Sequence, residues 1–371
     1  MKKILAIICA VAIALSAAII PAFAENEGFE KAADAVKNMR VGWNLGNTLD
    51  SFGAWIKQST QSRPVDYETA WNNPVTTNEI IAMVKDAGFG AVRVPVTYSQ
   101  HVDAEGNIET AWLDREEEIV NYVLNNGMYC IINMHHDTGT DGWLHATKTG
   151  YDETAAKFAK MWKQIAERFS GYGDKLLFEG FNEILDENNE WNTPKQDAYD
   201  IVNSLNQLFV DTVRATGGNN AERNIVVTTY AAAHNSAVLR GFVLPTDTAD
   251  GHLIAEVHSY SPWNFTSTTA TWTKMTDKWT QQLAAEIAQT YKSISTRFST
   301  DNVPVIVGEF GSEDKSNTAD RAQWAKCVVA QAAKNGVVCF YWDTGTFRLL
   351  DRDNMVLLYP EIVTAIIEAA K

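Results

Sequence analysis

The sequence predicts a single (β/α)₈ barrel, or TIM barrel, on three observations. Short apolar, β-branched runs recur eight times, a longer amphipathic stretch follows each run, and no Pro/Ser linker, appended module or sequence repeat divides the chain. Strands that alternate with helices form parallel sheets, because a crossover helix returns the chain to the same edge. Residues 25–371 are longer than a usual single domain, but barrels of this kind reach that length as one unit.

The eight predicted strands are short and rich in Val, Ile, Leu and aromatic residues. In chain order they are "RVGWNLG" from Arg40, "AVRVPV" from Ala91, "CIINM" from Cys130, "LLFEG" from Leu176, "IVVTT" from Ile225, "LIAEV" from Leu253, "VIVGE" from Val305 and "VVCFYW" from Val337.

The helices between the strands have recognisable boundaries. "TTNEIIAMVKDAG" opens with threonine caps, places Ile80, Ile81 and Val84 on one face, and stops at Gly88. The same organisation recurs in "DETAAKFAKMWKQIAERF", "QDAYDIVNSLNQLFVDTVRATGG" and "TADRAQWAKCVVAQAAKNG".

Residues 1–24 have the pattern of a signal peptide. Lys2 and Lys3 precede an apolar run from Ile4 to Ile20, and residues 22–24 form an A-x-A cleavage pattern. The alternative is a membrane anchor, because the run is nearly long enough to span a bilayer. The acidic, polar "ENEGFEKAAD" that follows favours cleavage after Ala24. We therefore expect a secreted, extracellular catalytic domain of residues 25–371 that has no membrane association after cleavage.

The mature chain is strongly acidic. Two of the 31 basic residues lie in the leader, so 29 remain against 46 acidic residues and the net charge is −17. Such a surface repels nucleic acid and anionic membranes, which favours a neutral partner. Cys130, Cys327 and Cys339 lie too far apart for a zinc pattern or a disulfide framework.

Active sites of (β/α)₈ barrels lie at the carboxyl ends of the strands, so polar residues that end the apolar runs are candidate site residues. They are Asn44 and Asn47 (first strand), Arg93 (second), His135, His136 and Asp137 (third), Asn182 and Glu183 (fourth), His258 and Tyr260 (sixth), Glu309 (seventh), and Trp342 and Asp343 (eighth).

Several of these candidates have a purely structural alternative. Arg93 lies within an apolar run and is either a core arginine paired with any acid or a partner of a catalytic carboxylate. His135 and His136 are possible metal ligands, but adjacent strand residues point to opposite faces and no His-x-His pair accompanies them. We therefore expect no metal. His258 and Tyr260 are each common as satisfied core residues, and their shared position at a strand end favours a site.

Glu183 and Glu309 are the most informative residues. They end the fourth and seventh strands, so closure of the barrel aims both across one mouth. Glycoside hydrolysis needs such a pair: one protonated carboxyl for the leaving oxygen, and one ionised carboxylate to attack or to activate water. We expect Arg93 and Tyr260 to keep Glu309 ionised, and apolar surroundings to keep a proton on Glu183. The acidic segment from Leu185 to Asn192 is predicted to be solvated.

Tryptophans in loops are consistent with a sugar substrate, because an indole offers a flat apolar face to a sugar ring. Of the 12 Trp, Trp162, Trp279 and Trp324 fall on helical patterns and are predicted core residues. At strand ends or in loops are Trp43, Trp55, Trp71, Trp143, Trp191, Trp263 and Trp342. Ordinary packing accounts for about half of them, and Trp342 is the strongest candidate for sugar stacking.

Seven motifs together resemble glycoside hydrolase family 5, and they occur in that family's order over nearly all of residues 25–371. They are "GWNLGNTLD", "VRVPV", "INMHHD", "FEGFNEI", "EVHSY", "VGEFG" and "FYWD". "GNTLD" with "HHD" is most similar to subfamily 4, whose members are mainly endoglucanases, some acting on xyloglucan or mixed-linkage glucan. The family commonly has proline after the Asn-Glu pair, where this chain has Ile184.

The resemblance implies a role for each matching residue. Glu183 is the acid/base and Glu309 the nucleophile of a retaining double displacement. Asn182 binds the 2-hydroxyl, Arg93 and Tyr260 hold Glu309, and His258 stands near the acid/base. His135 and His136 contact the sugar before the scissile bond, and Trp342 stacks beneath it. Asn44 and Asn47 bind or support, or else satisfy the backbone of their loop.

We therefore predict a monomeric, secreted, cofactor-free and metal-independent retaining endo-β-1,4-glucanase whose partner is a β-glucan chain. One alternative is the same chemistry on xyloglucan, mixed-linkage glucan, xylan or mannan. Two others are a metal-dependent barrel hydrolase and a non-catalytic carbohydrate-binding barrel. A non-catalytic barrel is expected to lack one carboxylate or Arg93, and the sequence retains all three.

Overall fold

The computed structural model describes residues 28–56, 63–269 and 273–371, and a closed barrel of eight parallel strands lies at its centre. Each strand pairs with the next, and the eighth pairs with the first. The strands are β1 (Gly42–Asn44), β2 (Ala91–Val94), β3 (Tyr129–Asn133), β4 (Leu176–Glu179), β5 (Ile225–Thr228), β6 (Leu253–His258), β7 (Val305–Phe310) and β8 (Val337–Trp342). All eight predicted runs and the single-barrel fold are confirmed, and the predicted leader lies outside the described residues.

Helices and one hairpin surround the barrel. The helices are α1 (Ala32–Met39), α2 (Pro64–Glu68), α3 (Asn78–Asp86), α4 (Thr110–Asn125), α5 (Tyr151–Arg168), α6 (Gln196–Ala215), α7 (Ser236–Gly241), α8 (Trp263–Thr266), α9 (Gln281–Ser299), α10 (Thr318–Lys334) and α11 (Pro360–Ala369). The hairpin pairs β9 (Leu350–Asp351) with β10 (Val356–Leu357). The hydroxyl of Thr77 caps α3 by accepting the amide of Ile80, as the sequence predicts. Within the described ranges, no helix is both long enough and apolar enough to cross a bilayer.

The interior of the barrel is built in two layers. Side chains that alternate along each strand point into the barrel. The lower layer is apolar and packs against α1, which covers the amino-terminal end of the strands. Its strand members are Ala91, Tyr129, Ile131, Leu177, Val226, Ile254, Ile306, Val338 and Phe340, and its α1 members are Ala32, Ala35, Val36 and Met39.

Two residues further along the strands, the inward positions become polar. This polar layer contains Asn44, Arg93, Asn133, Glu179, Thr228 and Glu256, all fully buried. Buried charges require partners, so the polar layer must be connected internally or to groups above it. It lies directly below the strand ends at which the sequence places the site.

Candidate active site

A cleft of about 750 Å³ opens at the carboxyl ends of the strands. Eight of the predicted site residues line it: His135, His136, Asn182, Glu183, His258, Tyr260, Glu309 and Trp342. Arg93 and Asn44 lie beneath these residues in the polar layer, and Asn47 lies in the loop after β1. The structure therefore brings both predicted glutamates to one cleft, as barrel closure requires.

Glu309 is held by three groups, one on β2 and two at the carboxyl end of β6. Arg93 Nη1 donates to its Oε1 at 2.9 Å, the hydroxyl of Tyr260 donates to its Oε2 at 2.8 Å, and His258 Nδ1 lies 3.6 Å from Oε2. Burial opposes the ionisation of this carboxyl group, but the charges of His258 and Arg93 outweigh burial and hold the pKa of Glu309 below its ordinary value. Glu309 is thus an ionised and firmly oriented carboxylate.

An irregularity in β7 turns Glu309 toward the mouth. Regular alternation would point either Gly308 or Glu309 inward, but not both. The pairing of β7 with β8 shifts register between Val307 and Phe310, and the pairing of β6 with β7 shifts between Val257 and His258. Such irregularities re-aim side chains beside active sites. Here they let Glu309 face the cleft although it follows the inward-facing Gly308.

Glu183 lies across the cleft from Glu309. Its Oε1 is 2.8 Å from His258 Nδ1, and its side chain is 24% exposed. A carboxylate oxygen of Glu183 and one of Glu309 lie within 4.8 Å of each other. The prediction of apolar surroundings for Glu183 is wrong, because its immediate neighbour is the imidazole of His258 and it faces the open cleft.

His258 lies among carboxylates. Burial alone would favour its neutral form, but Glu309, Glu183 and Glu256 outweigh burial and raise the pKa of His258 to about 10. The imidazole is therefore a cation over the whole neutral range, and it stands between the two glutamates of the cleft.

Arg93 connects the polar layer to the cleft. Its Nε and Nη2 each lie 2.7 Å from an oxygen of Glu179, which gives a bidentate pair at the barrel axis. Nη2 also donates to Asn182 Oδ1 at 2.8 Å, and Nη1 donates to Asn44 Oδ1 at 3.0 Å as well as to Glu309. Both alternatives predicted for Arg93 therefore hold, because it is paired with a core acid and is also the partner of a carboxylate in the cleft.

His135 and His136 both line the cleft. The expectation that only one of them faces inward is wrong, because β3 ends at Asn133 and strict alternation ends with it. His135 is parallel to Trp342, with the ring centroids 5.6 Å apart and the planes at 7°. Burial, together with the charges of His136 and Arg93, lowers the pKa of His135, which is therefore a neutral ring. His136 packs against Phe52 and Trp71.

Two groups of side chains bring metal-ligand atoms within 4.8 Å of one another. One is Asp50, His135 and His136, and the other is Glu183, His258 and Glu309. In the first group, the carboxylate of Asp50 already accepts the backbone amides of Asn47 and Thr48. In the second group, the carboxylates are engaged by Arg93, Tyr260 and the imidazolium of His258. In both groups, hydrogen bonds and ion pairs within the protein account for the positions of the carboxylates.

Asn44 and Asn47 support the site from below and beside it. Asn44 Nδ2 donates to the carbonyl of Gly308 at 2.9 Å, which ties β1 to the strand that carries Glu309. Asn47 has a positive φ of 55°, and its carbonyl accepts a bond from Asn73 Nδ2 at 2.7 Å. Asn44 therefore supports the site through both Gly308 and Arg93, Asn47 shapes the backbone of its loop, and a contact of either residue with substrate stays a prediction.

The tryptophans divide between cleft and core. Trp191, Trp263 and Trp342 line the cleft. Trp43 is fully buried and donates from Nε1 to Asp343 Oδ2 at 2.6 Å, so it is one of the tryptophans that ordinary packing accounts for. Trp143 packs on the core under the ammonium of Lys157. Trp162 and Trp324 are buried, and Trp279 packs on the core, as predicted.

The segment after Glu183 is only in part the solvated acidic turn that the sequence predicts, because Glu187, Asn188, Trp191 and Asn192 are exposed but its first residues are buried. Ile184 and Leu185 are fully buried, and the carbonyl of Ile184 accepts the amide of Ala231 at 3.0 Å. Asp186 is 5% exposed, and its Oδ1 accepts the amides of Asn188 and Glu190. The segment is a structured loop that carries Trp191 to the rim of the cleft.

Sequence reasoning missed part of the cleft. The loop after β5 contributes Ala231, Ala232, Ala233, His234 and Asn235, and the neighbouring loops contribute Asn192 and Ser261. "AAAHN" after the fifth strand was a weak signal, because its polar residues begin several positions beyond the strand. Glu179 and Glu256 were missed as well, although each is an acid in an apolar strand and the rule that identified Arg93 applies to both.

A (β/α)₈ barrel with two glutamates facing each other at its mouth, one kept ionised by a histidine and an arginine, is the arrangement of a glycoside hydrolase. The family model described as Cellulase (glycosyl hydrolase family 5) matches residues 50–348. The chain belongs to glycoside hydrolase family 5, and the resemblance seen in the sequence motifs is confirmed.

The chain is also similar to individual members of this family. Endoglucanase B of Clostridium cellulovorans is 37% identical over 353 residues, which cover 90% of this chain and 75% of that protein. The structure of PbGH5A from Prevotella bryantii B14 is 40% identical, with a TM-score of 0.84 over 92% of this chain and 99% of that one. A GH5-4 broad specificity endoglucanase from Ruminococcus champanellensis with bound cellotriose is 40% identical, with a TM-score of 0.84 over 91% and 98% of the two chains.

Proposed function

We propose that this protein is a retaining endo-β-1,4-glucanase in which Glu309 is the nucleophile and Glu183 the acid/base. The observation that carries the proposal is the separation of the two carboxyl groups, whose nearest oxygens lie within 4.8 Å. Retaining glycosidases hold their carboxyl groups about 5–5.5 Å apart, whereas inverting enzymes need about 6.5–9.5 Å to admit a water molecule. A direct attack by Glu309 fits the shorter distance.

The two glutamates act in sequence. Glu309 attacks the anomeric carbon while Glu183 protonates the departing sugar oxygen, which leaves a glycosyl ester on Glu309. Glu183 then takes a proton from water, and the resulting hydroxyl attacks the same carbon and releases Glu309. The hydrogen bonds from Arg93 and Tyr260 keep Glu309 ionised and aimed before each turnover.

The remaining cleft residues position the sugar. Asn182, fixed through its oxygen by Arg93, presents its amide nitrogen for the 2-hydroxyl beside the nucleophile. Trp342 and the neutral ring of His135 form a stacked pair in the cleft, and His136 lies next to it. Trp191 and Trp263 lie on the rim, where each indole is more than 40% exposed. A cleft with aromatic faces in several places suits an internal stretch of a β-glucan chain.

Branched or mixed-linkage glucans are the second candidate substrates. A variant of PbGH5A has been solved in complex with a xyloglucan tetradecasaccharide, and a Caldicellulosiruptor lichenase of this family has been solved with cellotetraose. The small side chains of Ala231, Ala232 and Ala233 along the cleft of this chain leave space beside the main chain of a substrate. Xylan and mannan remain alternatives of the same chemistry.

Variants of the two glutamates test the roles. Glu309→Gln should abolish turnover, because an amide cannot form the glycosyl ester. Glu183→Ala should lose polysaccharide hydrolysis by about 10²–10⁴-fold, the usual contribution of a general acid. It should keep activity on dinitrophenyl cellobioside, whose leaving group needs no proton, and azide should accelerate that reaction. Near-normal activity of Glu183→Ala on polysaccharide would refute the assignment.

The substrate and the stereochemistry need a separate experiment. Initial rates on carboxymethylcellulose, barley β-glucan, xyloglucan, xylan and mannan should be highest on one of the glucans, and NMR of the first product should show the β-anomer. An initial α-product would contradict the retaining mechanism. A binding protein would show no turnover on any of the five.

Two further properties are proposed. Because the carboxyl pair supplies both acid and nucleophile, EDTA should leave activity unchanged, and clear inactivation would favour a metal-dependent hydrolase.

We also propose that the leader of residues 1–24 directs secretion and that the mature enzyme is a monomer. The secreted protein should begin at Glu25 by N-terminal sequencing, and sedimentation equilibrium should give the mass of one chain.

A further inference from the structure

A buried carboxylate lies on the opposite side of His258 from the two glutamates of the cleft. Glu256 precedes His258 by two residues on β6 and is fully buried. Its Oε1 lies 3.5 Å from His258 Nε2 and 3.7 Å from Arg93 Nε. Its Oε2 accepts the Thr228 hydroxyl at 3.3 Å, whereas no described residue gives Oε1 a hydrogen bond of normal geometry. A buried carboxylate oxygen needs positive partners, and His258 and Arg93 are the groups that face it.

The backbone reserves space for this carboxylate. Gly308 faces inward on β7, and a Cβ atom built there would lie 1.6 Å from Glu256 Oε1 and 3.1 Å from His258 Nε2. Any side chain at position 308 would therefore displace Glu256 or the imidazole. The absence of a side chain at this position keeps the acid in contact with the ring.

Both nitrogens of His258 consequently face carboxylate oxygens. Nδ1 lies 2.8 Å from Glu183 Oε1 and 3.6 Å from Glu309 Oε2, and Nε2 faces Glu256. A carboxylate only accepts hydrogen bonds, so a ring with a proton on each nitrogen turns an N–H group toward each side on which the acids lie. The charged and titratable groups around the ring, taken from every strand packed on it, are Glu183, Glu309, Glu256, Tyr260, Arg93 and His135.

We infer that Glu256 is a positioning residue that keeps a proton on each nitrogen of His258, so that the acid proton of Glu183 stays on the oxygen that serves the leaving group. The inference rests on the proposed role of Glu183. With a proton on Nδ1, the ring donates to Glu183 Oε1, and the carboxyl proton of Glu183 must be on Oε2. Transfer to the leaving oxygen then leaves a carboxylate that still accepts the Nδ1 hydrogen bond.

Loss of the Glu256 charge would reverse the bond between His258 and Glu183. In Glu256→Gln, the amide oxygen should replace Oε1, because the positively charged Arg93 and His258 both face that position, and the amide nitrogen should face the hydroxyl of Thr228. A neutral ring would keep its proton on Nε2 and present a lone pair at Nδ1. Glu183 would then donate its acid proton to the ring, and the leaving oxygen would lose its donor.

Three variants separate charge from shape. Glu256→Gln keeps the shape and removes the charge, whereas Glu256→Asp keeps the charge and shortens the side chain. Glu179→Gln is the matched control, because it removes one buried carboxylate from the same arginine and lies on β4, away from Nε2 of His258. Each variant is assayed on barley β-glucan and on dinitrophenyl cellobioside, and Glu183→Ala is the reference for loss of the acid.

Glu256→Gln should lose roughly tenfold or more of kcat/KM on β-glucan, part of the contribution of a general acid, and should change little on the aryl glycoside. Glu256→Asp should restore most of the β-glucan activity. Glu179→Gln should lower both activities in the same proportion, because it disturbs the arginine that holds the nucleophile. Equal losses on both substrates in Glu256→Gln, or a larger loss in Glu256→Asp, would overturn the inference. If Glu183→Ala itself lost both activities equally, the proposed function would fail instead.

The protonation of the His258 ring is a second readout, and it is measured first in the wild-type protein. Long-range ¹⁵N–¹H NMR of histidine-labelled wild-type protein should show the His258 nitrogens as a cation from pH 5 to about 9, with the signal assigned by its loss in His258→Asn. In Glu256→Gln the midpoint should move down by at least about one pH unit, a tenfold change in proton affinity. A neutral His258 in the wild type at pH 7, or an unmoved midpoint in the variant, would overturn the inference.

Discussion

Arg93 is the residue on which both catalytic geometry and the polar interior depend. One guanidinium group binds Glu179 through Nε and Nη2, and its remaining N–H groups reach Asn182 from Nη2 and Glu309 and Asn44 from Nη1. A planar fork can do this because its five N–H groups point in fixed directions, whereas an ammonium group is a single point of charge. The nucleophile is therefore oriented by a group that is itself fixed by a core acid.

Arg93→Lys should lower kcat by about 100-fold or more, because a shift of the nucleophile by about 1 Å costs that much. The loss should be equal on β-glucan and on dinitrophenyl cellobioside, since both substrates need the attack by Glu309. The matched control is Arg115→Lys, which alters another two-nitrogen contact, to Glu68, outside the cleft. This control should reduce stability and leave kcat unchanged. A lysine variant at position 93 with near wild-type kcat would contradict the role, and circular dichroism verifies the fold.

At single positions, the sequence predicts which residues are catalytic better than it predicts which other residues surround them. Glu183, Glu309, Arg93 and Tyr260 are identifiable because each is polar where the pattern requires an apolar strand or its end. Trp43 shows the limit of this approach. It has the same position at a strand end, but its indole is buried by Arg352 and Asp343, which approach from 300 residues away in the chain. The exposure of a side chain depends on neighbours that are distant in sequence, and the local sequence pattern does not show which residues these are.

At the scale of elements, strands and helices follow from periodicity, whereas the cleft loops do not. Ala231 and Ala232 adopt positive φ values of 54° and 47°, which are uncommon for residues other than glycine. The contact between Ala231 and Ile184 fixes the loop after β5 against the loop after β4. Each loop takes its conformation from the other, so neither can be predicted from its own sequence.

The loop after β7 holds the loop after β6 in the same way. The ammonium of Lys315 donates to the carbonyls of Phe265, Ser267 and Thr276. Asn317 Nδ2 donates to the carbonyl of Asp277 at 2.8 Å. Because Trp263 begins this held loop, Lys315 should control how well the indole is placed at the rim of the cleft.

Lys315→Met should raise KM for β-glucan several-fold and change kcat on a short aryl glycoside little, since only the longer substrate reaches Trp263. Methionine can keep the apolar contact with Phe265 while leaving three carbonyls without their donor, which costs about 1–3 kcal/mol of stability per group left unsatisfied. Kinetics on both substrates and urea unfolding provide the measurements. The control variant is Lys278→Met, which removes an ammonium that is 68% exposed beside Asp277 and Asp320. It should change neither the KM for β-glucan nor the stability. Identical KM values in the two variants would contradict the role of Lys315.

At the scale of the whole molecule, the apolar lower layer, the polar layer and the open cleft follow one another along the barrel axis. The polar layer holds two acids, Glu179 and Glu256, around one arginine, and burial raises the pKa of Glu179 to about 7. Period-two alternation makes this stacking visible in the sequence, because inward positions change from apolar to polar at or just before the strand ends. The ion pairs within the layer depend on barrel closure, which places β2, β4 and β6 around one point.

Acids buried outside the cleft should set the pH dependence of stability. Glu116 on α4 is fully buried, and its Oε1 accepts a bond from the hydroxyl of Tyr98 at 2.9 Å. Burial raises the pKa of Glu116 to about 8, against the opposing effect of the bond from Tyr98. At pH 7 the folded protein therefore binds a proton at Glu116 that the unfolded chain, with an ordinary pKa near 4.5, has released. The free energy of unfolding should consequently be highest in mild acid, should fall between about pH 4.5 and 8, and should lose no more from this group above pH 8.

Glu116→Gln should flatten this decline, because an amide binds no proton in either state. One bound proton gives a slope of at most about 1.4 kcal/mol per pH unit, so the variant should gain stability relative to wild type as the pH rises from 4.5 to 8. Urea unfolding at pH 4.5, 6 and 8 measures the difference. Glu105→Gln changes an exposed glutamate and should shift the three values equally or not at all. Parallel pH profiles for wild type and Glu116→Gln would show that Glu116 is ionised in the folded protein, with Tyr98 compensating for its burial.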